Sequence, residues 1–353
     1  MSEVHSENQE LLHIFSLFFD DLPVRFDIRN TGHGDEDFRE AVIAEWESGE
    51  KYVLKLADNS FTFAEKIEMW KRCAEEYRKC GYYCPDILRS KKGDFPTVSY
   101  KNHRCVAYVE EFHKYYEARE RFGEAGGGSA MSEDEVRKET FLMTAKIAAK
   151  RLDFTDYPSV YCLFDKFCPS DETDETLENA LDWIKYAETL PSKFQPQIQR
   201  IWRRWNENRE ELQKIYSDLP TSVFQADLNL TNVLLDDDGN FAGIFDFNLC
   251  GKDVFLNYLF RELHWLPNDE AELKYILETL KSVTKVYHFS NLEKRAAPLL
   301  YRCVKPLWFT RVENLKKAGK NKKAIQACLD RTEEMLTKVI DFASYMSDTP
   351  ECN

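Results

Sequence analysis

The sequence predicts an α+β fold, in which a β-rich N-terminal part built around one main helix precedes a larger, mostly helical C-terminal part. Two hairpin patterns within the first hundred or so residues predict the sheet, and a change from strand to helix texture near residue 112 predicts the second part. A single short β region, around residues 225–248, then interrupts the helices.

Ala41–Trp46 and Lys51–Leu56 are β-prone runs split by the turn Glu47-Ser48-Gly49-Glu50, which reads as a hairpin. From about Phe61 to Lys79, Ile67, Trp70, Ala74 and Tyr77 recur at helical spacing, and Gly81 and Pro85 end the pattern. Thr97–Tyr100 and Cys105–Val109 form a second hairpin about the polar turn Lys101–Arg104. Gly123–Ser129 lacks the Gly-Lys-Ser/Thr ending and the preceding strand of a phosphate cradle, so it reads as a flexible linker. Ser132 with Glu135 forms a capping box that opens a helix to about Leu152. Helices follow near Thr176–Thr189 and Gln195–Ser217, and residues from about 256 to 346 are helical again.

With 353 residues, 43% of them hydrophobic and 14% aromatic, the chain is long and apolar enough for one large or two medium globular domains. A formal charge of -14 argues against nucleic acid, whose phosphates demand clustered cations, and it suits a cationic small molecule as well as plain solubility. No apolar run approaches the roughly 18 residues of a membrane span, and the start of the chain lacks a basic or apolar signal region, so a cytoplasmic location is expected. Ten scattered cysteines without a Cys-x-x-Cys pair fit reduced thiols. Cys80 and Cys84 lack the further ligands of a metal site and read as packing.

The stretch Gln225-Ala226-Asp227-Leu228-Asn229-Leu230-Thr231-Asn232-Val233-Leu234-Leu235, followed by Gly243-Ile244-Phe245-Asp246-Phe247-Asn248, embeds three strongly hydrated side chains among apolar ones. That placement costs solvation unless a metal or substrate compensates. Phosphoryl transfer needs a carboxylate for the acceptor hydroxyl, divalent metal for the phosphate oxygens and a cation on the nonreacting phosphates. Asp227 is the candidate carboxylate, and Asn232 and Asp246 offer the hard oxygens that suit Mg²⁺. The turn Asp236–Asn240 joins two short strands and folds Asp246 back beside Asn232; as a calcium loop its alternation fails at Leu234. Lys55 shares a strand face with Val53, and a lysine on a buried face needs a carboxylate partner. Glu65 and Glu68, on one side of the following helix, are in reach, and Glu68 is preferred because the helix is established by then.

The ordered set of the Val-Leu-Lys-Leu strand, the Asp-Leu-x-x-x-Asn-Val-Leu run and the Ile-Phe-Asp-Phe that follows resembles the aminoglycoside phosphotransferase and choline kinase group of small-molecule kinases, over about residues 24–265. The resemblance implies a protein-kinase-like bilobal fold, with residues 1–112 as nucleotide-binding lobe and hinge and 113–353 as helical lobe. It implies ATP or GTP as donor, Mg²⁺ as cofactor and a small-molecule hydroxyl as acceptor. Lys55 would contact the α and β phosphates and pair with Glu68, Asp227 would be catalytic, and Asn232 and Asp246 would hold Mg²⁺. Glu110 through its carbonyl and Phe112 through its N–H would meet the base, and the Thr31–Asp35 turn would lie over the phosphates.

Two departures stand out. Gln225-Ala226 replaces the family's His-Gly, although Gln can both donate and accept hydrogen bonds, and Asn257 stands where the family often has Asp. The first motivates an alternative, a catalytically impaired nucleotide-binding regulatory protein on the same fold. A protein kinase proper is disfavoured, because no Ala-Pro-Glu segment follows Asp246. For the acceptor, Trp265, Tyr301, Trp308 and Phe309 offer aromatic surface, and Glu262 and Glu313 would suit an amine.

Overall fold

The computed structural model describes residues 2–32, 37–123, 130–263 and 269–347. Along the N-terminal part run α1 (Ser2–Ser16), β1 (Arg25–Asn30), β2 (Phe38–Glu45), β3 (Lys51–Asp58), α2 (Ala64–Lys79), β4 (Ile87–Leu88), β5 (Thr97–Tyr100), β6 (His103–Glu111), β7 (Tyr116–Glu117) and α3 (Ala118–Gly123). Then follow α4 (Glu133–Ala149), α5 (Glu175–Ala187), α6 (Gln195–Tyr216), β8 (Thr221–Phe224), β9 (Val233–Leu235), β10 (Phe241–Ile244) and β11 (Gly251–Val254). The chain closes with α7 (Phe255–Glu262), α8 (Asp269–Val283), α9 (Asn291–Val304), α10 (Phe309–Ala318) and α11 (Lys322–Thr337).

Two compact units result, one of residues 1–136, 168–170 and 228–250, the other of 137–167, 171–227 and 251–353. The division is not a single break at 112. The reason is pairing: β7, just past the expected hinge, is hydrogen-bonded to β9, giving a sheet of order β10-β9-β7 within the first unit. Tyr83, after α2, stitches on the same hairpin, donating its N–H to the Ala242 carbonyl and accepting the Ile244 N–H, each at 3.0 Å. Such contact requires glycine at 243, where a Cβ would fall 1.8 Å from the Tyr83 oxygen.

The main sheet of the first unit has the order β1-β2-β3-β6-β4, with β5 also on β6. Both expected hairpins form, and the second turn is tighter than the sequence suggests. Lys101 and Asn102, at φ 49° and 65°, make a two-residue turn between Tyr100 and His103, whose positive φ angles match the strand twist. One sheet face is covered by α1, an element the sequence reading did not include. Its Leu11, Ile14 and Phe15 recur at helical spacing and join Val42, Leu54, Leu56 and Val109 in one core. On α2 the buried residues include Ile67, Trp70, Ala74 and Tyr77, as the periodicity predicts, and the Trp70 and Tyr108 rings meet edge to face at 5.8 Å.

The second unit is mostly helical, with β8 and β11 as an antiparallel pair. Helix α6 is tied to α9 by the buried Trp205, whose indole N–H donates to the Cys303 carbonyl at 2.9 Å. Asn257 anchors α7 through its amide, donating to the Tyr161 carbonyl at 2.8 Å and to Asp253 at 3.3 Å. An Asp at 257 would set a second carboxylate against buried Asp253, which explains the departure noted in the sequence. The capping box at Ser132 and Glu135 opens α4 as expected. All nine described cysteines are free, Cys80 and Cys84 included.

Candidate active site

Within the first unit the site grows out of the β3–β6 ladder. Val53 lies opposite Glu110, so Lys55, two residues on, shares its face with Glu110 as a diagonal neighbour. The Lys55 ammonium stands 3.8 Å from a Glu110 oxygen and 3.8 Å from Asp246 Oδ1. Burial alone would lower the Lys55 pKa, but Asp246 and Glu110 outweigh burial and the nearby Arg39 and hold it above its ordinary value. At Glu110 burial wins instead: it lifts the carboxyl above the usual range, with Asp246 adding and Lys55 opposing. Lys55 is therefore charged across the neutral range.

Glu68 does not pair with Lys55. It is exposed on the outer face of α2 and bound by the Arg89 guanidinium, while Ile67 and Trp70 occupy the inward face. Phe112 also differs from expectation, because the β3–β6 ladder runs one residue further and its N–H donates to the Lys51 carbonyl at 3.3 Å. Gly32 of the expected phosphate turn packs against the Asp37 and Arg39 backbone; His33, Gly34 and Asp35 lie outside the described residues. The same holds for most of the expected linker and for Trp265.

Asn232 and Asp246 are brought together by the β9–β10 hairpin. Its turn is closed by Asp236, which accepts the N–H groups of Asp238 and Asn240 at 3.1 and 2.8 Å, with Gly239 at φ 81°. At the open end the Phe245 N–H donates to the Asn232 carbonyl at 3.1 Å, and Asp246 comes next. Asp246 has φ 59° and ψ 71°, a left-handed conformation that Asp tolerates better than most residues, and a single 3₁₀ turn, Phe247–Leu249, follows it. One carboxylate and one carboxamide, neighbours in space and flanked by a lysine, fit Mg²⁺, which takes one or two protein oxygens and completes its shell with phosphates and water.

Within the second unit, Asp227 follows β8 and is partly exposed. Fully buried Gln225 accepts the Asp227 N–H at 3.3 Å through its side-chain oxygen, so the residue replacing the family's His holds the loop from inside. Burial and then the Asp227 charge push Glu262, the last residue of α7, up to about 8, against Arg261, Arg137 and Lys305. The same two carboxylates add to burial in raising the phenol of Tyr161. Tyr161 is a neighbour of Asp227 that the sequence reading missed; it lies in an irregular segment with no pattern to mark it. Of the other acceptor candidates, Tyr301 and Trp308 are core residues, Phe309 is exposed and Glu313 pairs with Lys316 at 3.4 Å.

The model of the phosphotransferase enzyme family (APH) matches residues 32–257. The chain belongs to this family. All seven residues proposed from the sequence, Lys55, Glu68, Glu110, Phe112, Asp227, Asn232 and Asp246, fall inside the match, and Glu262 lies just beyond it. Among solved structures, the chain is similar to an amicoumacin kinase in complex with AMP-PNP and Ca²⁺, at 15% identity and TM-score 0.54, covering 97% of this chain and 99% of that one. It is also similar to a microcompartment-associated aminopropanol kinase, at 13% identity and TM-score 0.54, covering 93% and 95%. The fold is thus α+β and protein-kinase-like, with an N-terminal antiparallel sheet and helix and a larger helical C-terminal part. A comparison with curated proteins returned no match. No helix of the described residues is long and apolar enough to cross a membrane.

Proposed function

We propose that the protein is a small-molecule kinase that moves the γ-phosphoryl group of ATP or GTP to a hydroxyl of a small acceptor. The observation that carries this reading is the grouping of a charged Lys55 3.8 Å from Asp246, with Asp246 tied through Phe245 to Asn232, in a chain of the phosphotransferase enzyme family. In this reading Lys55 holds the nonreacting phosphates, and Asn232 and Asp246 hold Mg²⁺. The metal, when bound, neutralises charge on the transferring phosphoryl group. Asp227 accepts a hydrogen bond from the acceptor hydroxyl and aims it in line with the phosphorus. Asp227 and Glu262 together favour an acceptor with an amine near its hydroxyl, because an ammonium there would offset the burial and the Asp227 charge that raise Glu262.

The experiment is an ADP-release assay across aminoglycosides, choline, small amino alcohols, sugars and nucleosides, with ATP and GTP as donors. Asp227→Asn is expected to keep nucleotide affinity and to lower turnover by on the order of 10² or more. Unchanged turnover in that variant removes Asp227 from its role. Nucleotide binding without turnover on any hydroxyl compound replaces the kinase reading with that of a nucleotide-binding regulatory protein.

A further inference from the structure

We propose that Glu110, on strand β6, is the positioning residue for Lys55, the part the family resemblance gives to Glu68 on helix α2. The inference rests on the kinase reading and names a residue that acts through the phosphate-binding lysine.

Three observations carry it. Helix α2 brings no carboxylate to Lys55: its buried face includes Ile67, Met69, Trp70, Cys73, Ala74 and Tyr77, Glu65 and Glu68 are exposed, and Glu75 and Glu76 pair with Lys71 and Lys79 at 3.8 and 2.6 Å. Glu68 is in addition engaged by Arg89. Glu110, by contrast, is 8% exposed, shares the inner face of the sheet with Lys55 and places an oxygen 3.8 Å from its ammonium. A lysine enclosed as Lys55 is needs a compensating carboxylate, and Glu110 and Asp246 are the ones at hand. Asp246 is committed to the metal in the working enzyme, so Glu110 is the lasting partner.

The change of element has a mechanical meaning. A carboxylate on a helix aligns the lysine only when the helix is docked, whereas β3 and β6 are paired without a break from Tyr52 opposite Glu111 to Ala57 opposite Val106. Lys55 is therefore aimed by the sheet itself, and its alignment does not depend on the placement of α2.

The test compares Glu110→Gln, Glu110→Asp and Glu68→Gln in the full-length protein. It measures Mg·ATP KM and kcat by ADP release, and Mg²⁺-dependent binding of a fluorescent ATP analogue. Glu110→Gln is expected to raise KM and weaken the analogue by roughly tenfold, which is about 1.4 kcal/mol. Glu110→Asp is expected to recover part of that loss, and Glu68→Gln to stay within about twofold of wild type. In a Lys55→Met background Glu110→Gln is expected to add nothing. A loss in Glu68→Gln equal to that in Glu110→Gln overturns the proposal, as does a full Glu110→Gln effect persisting without Lys55. Urea denaturation of the same single and double variants separates this failure from failure of the kinase reading. Coupling of Lys55 to Glu110 and not to Glu68 supports the pair even before a substrate is known, and absence of coupling to Glu110 overturns it. A wild-type protein that binds no nucleotide overturns the kinase reading, and the positioning role with it.

Discussion

Lys55 in the N-terminal unit lies 3.8 Å from each of two carboxylates, Glu110 and Asp246, and Lys305 in the C-terminal unit lies 2.9 Å from one, Glu272. The closer pair does not keep its lysine better charged. Burial drives the Lys305 pKa down to about 8 despite Glu272, because Arg311 shares that carboxylate at 3.2 Å and adds a second cation. Lys55 remains above its ordinary value, against its own burial, because two carboxylates face it. The lesson is that the balance of surrounding charge against burial decides ionisation, and the length of one ion pair does not. Around Lys55 the balance favours a cation that can exchange a carboxylate for phosphate. Around Lys305 the ammonium also donates to the Leu263 carbonyl at 2.5 Å, which is a packing role.

The largest effect that would break this contrast is on activity. Lys55→Met is expected to lower kcat/KM for the nucleotide by on the order of 10² to 10³, as steady-state kinetics will show. A comparable loss from Lys305→Met would erase the distinction. That variant is expected instead to destabilise the fold by about 2–3 kcal/mol, since Leu263 loses its donor and Glu272 loses the nearer of the two cations, Lys305 and Arg311, that it meets among the described residues, without a change in nucleotide KM. The smallest effect extends the comparison to a carboxyl. Glu262, raised from its ordinary 4.5 to about 8, keeps a proton in the folded protein that the unfolded chain has released. Stability should therefore fall as pH rises between those values, by at most about 1.4 kcal/mol per unit, and level off above. Glu262→Gln should lack this slope, so denaturation at pH 5, 6, 7 and 8 should show the variant gaining on the wild type. Parallel curves would remove Glu262 from the Asp227 environment.

The contrast also explains what was legible in the chain. Asp227, Asn232 and Asp246 announce themselves because hydrated side chains in an apolar run have few structural reasons to be there. Lys55 is visible for the same reason, and α2 through its apolar stripe. The partner of Lys55 was not legible, since Glu68 and Glu110 are both acidic residues within reach on paper. Choosing between them needs the register that sets Val53 opposite Glu110. Strand register is a tertiary property, which local pattern does not specify. Helix α1 was less legible for a different reason: its helical apolar spacing, Leu11, Ile14 and Phe15, spans little more than one turn and follows a mostly polar run.

Gly243 offers a last consequence, this time for what the sequence can tolerate. Any side chain there would drive a Cβ into the Tyr83 carbonyl, between the two backbone bonds that join the loop after α2 to the β9–β10 hairpin. Even alanine must unpick that seam. The position is thus closed to any larger residue on steric grounds alone, whatever stands at the charged positions around it.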